Sequence, residues 1–116
     1  MSLGRSRDEQ TAGGGWTFLS NHAHVLVCLA RDRDARLRDV AEQVGITERS
    51  VVKIVNELEQ AGVVSRTRVG RRNHYEIDLE VPMRHPVESD QSVGSLLEMV
   101  LDAQSRRAIG LKKRRQ

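Results

Sequence analysis

The sequence predicts a mainly α fold with a small β-hairpin, an α+β arrangement extended by one further C-terminal helix, and three observations carry the prediction. Two helical registers meet at Gly45 within residues 40–58, a period-two run reaches Leu79 behind a glycine turn, and a second helical stripe begins near Asp90. Composition agrees. In 116 residues, 30% are charged and only Trp16, Phe18 and Tyr75 are aromatic, as in a soluble, helix-rich chain. A core of about 60 residues is marginal alone, which favours a dimer. No apolar run approaches a membrane span, no signal peptide is visible, and the single Cys28 cannot form an internal disulfide, so a cytoplasmic protein is expected.

Residues 1–15 mix charge with Gly13, Gly14 and Gly15, lack an apolar period, and are expected to be a disordered tail. Trp16, Phe18 and Leu19 arrive together and are expected to anchor the chain on a domain spanning 16–81. Ser20 is a good N-cap for a helix running to about Arg31, apolar nearly all round from Val25 to Ala30 and hence central to the core. His24 and Cys28 share one face of it, but His22 lies about 200° of helical rotation from His24 and no cysteine pair or acidic partner stands nearby. No metal site and no cofactor are expected. Residues 31–36 form an alternating charged loop.

Between residues 40 and 58 the apolar positions Val40, Ala41, Val44, Ile46, Val51, Ile54, Val55 and Leu58 fall on two short helices. Ala41 is small where the second helix must cross closely, and Gly45 can take the left-handed conformation that ends the first. Ile46 plugs the corner, Thr47 caps the second helix, and Val51, Ile54 and Leu58 make one buried stripe. This spacing is a helix-turn-helix.

Residues 63–79 then read as a hairpin. Tyr75, Ile77 and Leu79 alternate with Glu76 and Asp78, and residues 69–73 supply the turn, with Gly70 and Asn73 able to accept positive φ. Arg66, Arg68, Arg71 and Arg72 gather there, and no carboxylate intervenes between Glu59 and Glu76. Pro82 and Pro86 bracket a linker at 82–89. An amphipathic helix is expected over 90–104, its stripe of Val93, Leu96, Leu97, Val100 and Leu101 reading as a dimerisation face, or as packing onto its own domain. Residues 105–116 form a basic tail.

Charge is segregated along the chain. Residues 47–77 carry six basic and four acidic side chains, 78–104 one and six, and 105–116 six and none, within an overall +3. Clustered positive charge of this kind is the footprint of a nucleic-acid binder.

With Ala41, Gly45, Ile46, Val51 and Ile54 in place and an arginine-rich hairpin following, residues 19–79 resemble the MarR and ArsR groups of prokaryotic transcriptional regulators, whose fold is a winged helix-turn-helix. One departure is Arg38, near the start of the first motif helix where a Ser or Thr cap is common. The resemblance implies a sequence-specific regulator of double-stranded DNA, located in the cytoplasm with the nucleoid and binding an inverted-repeat operator as a homodimer. Helix 47–61 would enter the major groove and wing 63–79 the minor groove or backbone. It also implies that Leu37 contributes to a short strand pairing with the wing, and that Asn21 and His22 lie near the DNA backbone.

On that reading the outward residues of the recognition helix are Thr47, Glu48, Arg49, Ser50, Val52, Lys53 and Asn56. Arg49 can reach guanine, Asn56 adenine and Val52 a thymine methyl, while Lys53 suits a phosphate. The wing contributes Arg66, Arg68, Arg71, Arg72 and Asn73. No phosphate-binding glycine loop and no nucleophile–base pair is present in the sequence, so an enzyme is not expected. The alternatives are a winged-helix protein-interaction module, or a regulator of the same fold that answers to a small molecule or metal.

Overall fold

The computed structural model describes residues 15–111. In chain order its elements are α1 (Asn21–Arg31), α2 (Leu37–Val44), α3 (Glu48–Gln60), β1 (Val64–Val69), β2 (Arg72–Ile77), α4 (Val93–Val100) and α5 (Ala103–Ala108). Three helices followed by an antiparallel hairpin form the expected winged-helix arrangement, with a C-terminal helix pair added.

The first three helices start and stop for local reasons. The Ser20 hydroxyl accepts from the backbone N–H of Ala23 at 3.3 Å, and the Thr47 hydroxyl from that of Ser50 at 3.0 Å, so α1 and α3 each have a side-chain N-cap. Helix α2 has none, because Arg36 occupies the cap position. It ends at Gly45, whose φ of 87° lies in the left-handed region and whose N–H bonds the Ala41 carbonyl at 2.8 Å. Gly45, Ile46 and Thr47 thus turn the chain from α2 into α3.

Leu37 corrects an expectation. It opens α2 instead of forming a strand, and the contact with the wing comes earlier, where the Tyr75 N–H donates to the Arg33 carbonyl at 2.8 Å. This bond joins the loop before α2 to the edge of β2 without a third strand.

The core lies among α1, α2 and α3 and is closed by the base of the hairpin. Residues 25–30 of α1 are all buried, and Val40, Ala41, Val51, Ile54, Val55 and Leu58 pack against them. In the hairpin Val64 pairs with Ile77, Arg66 with Tyr75 and Arg68 with Asn73, so these six share one face. Val64 and Tyr75 are buried, whereas Val69 at the far end is exposed. Asn73 lies in β2, and the turn is the two residues Gly70 and Arg71, shorter than the sequence suggests.

The C-terminal region departs further. The segment after the wing is bonded back onto the domain: Gly94 N–H donates to Leu79 O, Val93 N–H to Val81 O and Met83 N–H to Gln91 O, each at 2.8–2.9 Å. The helix expected over 90–104 is two helices. Leu101 is extended, and the Asp102 carboxylate accepts from the Ser105 N–H at 2.8 Å, capping a new helix before the first can continue. Those bonds from Ser105 hold the Asp102 carboxyl below the usual carboxylate range. The stripe itself turns inward. Val93, Leu97 and Leu101 are buried in the core of their own domain, which removes them from the expected dimer face and leaves Leu96, Met99 and Val100 at least partly exposed.

At the other end, Trp16 and Phe18 pack edge to face at 5.0 Å but are 66% and 92% exposed, so they do not anchor the chain as expected; Leu19 alone is half-buried. Most of tail 1–15 and the last residues of tail 105–116 lie outside the described residues.

Candidate nucleic-acid interface

Helix α3 turns Val51, Ile54, Val55 and Leu58 into the core, and a helix so seated must present its remaining faces to solvent. Thr47, Glu48, Arg49, Ser50, Val52, Lys53 and Asn56 are all exposed, Val52 by 40% despite its apolar side chain. The Thr47 hydroxyl donates to the Ser50 hydroxyl at 2.9 Å while accepting the capping bond, so both are ordered at the start of the helix. Its free backbone N–H groups and positive dipole end lie beside Arg49, which suits an anionic backbone.

The hairpin is fastened to this helix by Arg66. Its guanidinium donates to both carboxylate oxygens of Glu59, Nε–Oε2 being 3.2 Å, and to the Asn56 side-chain carbonyl at 3.2 Å. It lies 6.0 Å from the centre of the Tyr75 ring, its cross-strand partner. The Arg66 bond holds the Glu59 carboxyl below its ordinary range. The wing arginines expected to act together therefore divide. Arg66 braces the base of the wing, and Asn56, expected to reach adenine freely, has its carbonyl engaged by that brace.

The other arginines lie toward the tip. Arg68 donates to the Gly70 carbonyl at 3.2 Å and stiffens the turn; Arg72 donates to the Asp34 carbonyl at 3.1 Å. Arg71 sits in the turn and is exposed, as are Arg68 and Arg72.

A second clasp holds β2 from the opposite side and involves residues not singled out in the sequence. His74 bonds Asp34 through Nδ1 and Glu76 through Nε2, both at 2.8 Å. Bonding to Asp34 first, and to Glu76, raises the imidazole pKa. Arg33 donates to Glu76 at 3.3 Å and to the Ala108 carbonyl at 3.0 Å, joining the wing to the end of α5. A histidine between two strand neighbours carries no sequence signal for such a clasp, because Asp34 is 40 residues away.

Asn21 and His22 are exposed but engaged. Asn21 bonds His24 at 3.3 Å, and His22 bonds Glu57 of α3 at 2.7 Å. His22 and Glu57 border an open groove of about 910 Å³ that also includes Phe18, Leu26, Leu58, Met83, Val93, Leu96 and Met99. Cys28 is buried away from His22, and burial pushes its thiol pKa up, as for an inert core cysteine.

Among known proteins, no curated protein matches the chain. Residues 20–69, from the cap of α1 to the end of β1, match the model of the MarR family. This supports the MarR side of the resemblance, leaves the ArsR side unsupported, and makes the helix-turn-helix and first wing strand similar to MarR-type winged-helix transcriptional regulators.

Proposed function

We propose that the protein is a sequence-specific regulator of double-stranded DNA, with α3 in the major groove and the wing on the adjacent minor groove or phosphate backbone. The carrying observation is the exposed face of α3 from Thr47 to Asn56, held by Arg66 against a wing whose arginine-bearing tip is exposed. Base edges would be read by Arg49, Val52 and the free amide of Asn56, and Lys53, Arg68, Arg71 and Arg72 would grip phosphates. Two copies related by a two-fold would read an inverted repeat with half-sites about 34 Å apart. Leu96 and Met99, with the exposed Trp16 and Phe18, offer apolar surface for that pairing.

The test is enrichment of duplexes from a random-sequence library by the purified chain, followed by anisotropy with the enriched and a scrambled duplex across a salt series. Preference for an enriched inverted repeat that survives physiological salt supports the reading; equal, salt-fragile binding to both duplexes overturns sequence specificity.

A second reading, in which the same regulator answers to a small molecule, has the groove in its favour, since that groove joins α1, the C-terminal half of α3 and α4. An occupant there would bear on the His22–Glu57 bond and so on the seat of the recognition helix.

A further inference from the structure

Asn56 is held by a group that can only donate. Its side-chain carbonyl accepts from Nη2 of Arg66 at 3.2 Å, and the same nitrogen has a second hydrogen for Glu59, which also takes the bond from Nε at 3.2 Å. A guanidinium has no acceptor, so the atom of the amide that meets it must be the oxygen, and the NH2 lies at the opposite end of the planar group. Arg66 is itself fixed, by both oxygens of Glu59 and by the Tyr75 ring, whose centre lies 6.0 Å from it. Among the described residues no group bonds the Asn56 NH2, and Asn56 is exposed on the stripe it shares with Arg49, Val52 and Lys53 at spacings of three and four along α3.

From this placement we infer that Asn56 reads its base as a donor alone, selecting guanine and rejecting adenine, and that Arg66 is the positioning residue that sets the choice. This rests on the DNA-binding reading above. To recognise adenine, an asparagine must lay its oxygen and its NH2 side by side against the base edge, the oxygen accepting from N6 and the NH2 donating to N7. Turning the Asn56 amide into that pose withdraws the oxygen from Arg66 and leaves a donor of a partly buried guanidinium unpaired. Guanine makes no such demand. Its N7 and O6 are both acceptors and meet the two hydrogens of one NH2, whereas cytosine offers only a donor there. Arg66 touches no base in this arrangement and acts through Asn56.

It is tested by enriching duplexes from a random-sequence library with the full chain and with its Asn56→Ala, Asn56→Asp and Arg66→Met variants. The base pair whose preference disappears in Asn56→Ala is the one that Asn56 reads. In the wild type it should be a G·C pair, favoured over A·T by at least about fivefold in competition. Arg66→Met releases the amide, and the same position should turn to A·T. Asn56→Asp keeps an acceptor for Arg66, and so keeps the wing fastened, but puts an oxygen where the NH2 was; the pair should reverse to C·G, with cytosine N4 as donor. An A·T pair in the wild type overturns the inference, as does a G·C pair that persists in Arg66→Met or in Asn56→Asp, or a motif that Asn56→Ala leaves unchanged. If the full chain enriches no motif, the DNA-binding reading falls and takes the inference with it, whereas a sound motif with any of the other failures removes the inference alone.

Discussion

Arg66 closes a two-pronged bond on the carboxylate of Glu59, and through it the wing is fixed to the helix it accompanies. Both side chains are partly buried, so the bond is less screened than a surface pair, and Tyr75 beneath the guanidinium holds it in one orientation. Arg66→Ala should lower stability by about 1 kcal/mol, with a coupling to Glu59→Ala of about 0.5 to 1 kcal/mol in a double-mutant cycle. Its phosphate contribution should be small, leaving the salt slope of DNA binding nearly unchanged. Arg71→Ala should behave oppositely, flattening that slope by about 0.9 at constant stability. Denaturant melts and salt titrations of both variants decide the matter; a slope that falls as much for Arg66→Ala as for Arg71→Ala would return Arg66 to the interface.

Much of the fold was legible where the signal is local. Ser20 and Thr47 cap helices because a hydroxyl one turn from free N–H groups needs no distant partner, and Gly45 ends α2 for the same kind of reason. Asp102 carries a local signal as well, since Asp is a favoured N-cap, but the apolar stripe from Val93 to Leu101 favours one continuous helix. Relationships across the chain were not legible. Nothing near Arg66 in sequence marks it as a brace instead of a phosphate ligand, and nothing near His74 announces Asp34. The inward turn of Leu97 was equally hidden, because periodicity shows that a face is buried without showing against what.

The His74 clasp makes the wing sensitive to pH. Its folded pKa is raised above the usual imidazole value of about 6.5, so the protonated form is the one the fold favours. The contribution is fully present below the unfolded value and is lost as pH rises through the folded one, leaving the bonds to Asp34 and Glu76 around a neutral ring. Thermal midpoints of the wild type and His74→Gln should differ most at about pH 5 and converge by about pH 9. A gap that stays constant over that range would mean that the imidazole is held by shape and not by its proton.

Arg49 stands exposed in the first turn of α3, beside the capped N-terminus and clear of the Arg66 brace. A guanidinium in that position can meet the two acceptors of guanine together, which a lysine or a truncated side chain cannot do. Arg49→Ala should reduce affinity for the enriched duplex by about 1 to 3 kcal/mol and relax preference at one base pair in each half-site. Repeating the enrichment with the variant reads this directly. A uniform loss on enriched and scrambled duplexes would identify Arg49 as a phosphate contact.

Helix α4 separates stability from assembly on its two faces. Leu97 is fully buried against the domain's own core, so Leu97→Ala leaves a cavity there and should cost about 2 to 5 kcal/mol, seen as a lower urea midpoint independent of protein concentration. Leu96 is half-buried and Met99 is 59% exposed at the edge of the groove, where a charge displaces little packing within the chain. Met99→Glu should therefore leave the urea midpoint of the isolated chain within about 0.5 kcal/mol of the wild type in terms of stability. If this face seats a second copy, the same change should shift the sedimenting species toward the monomer, because a carboxylate buried at an interface without a partner is strongly disfavoured. The reverse pattern, with Leu97→Ala dissociating the protein at unchanged intrinsic stability, would mean that the stripe faces a partner after all and that its packing onto α1 is not what holds it.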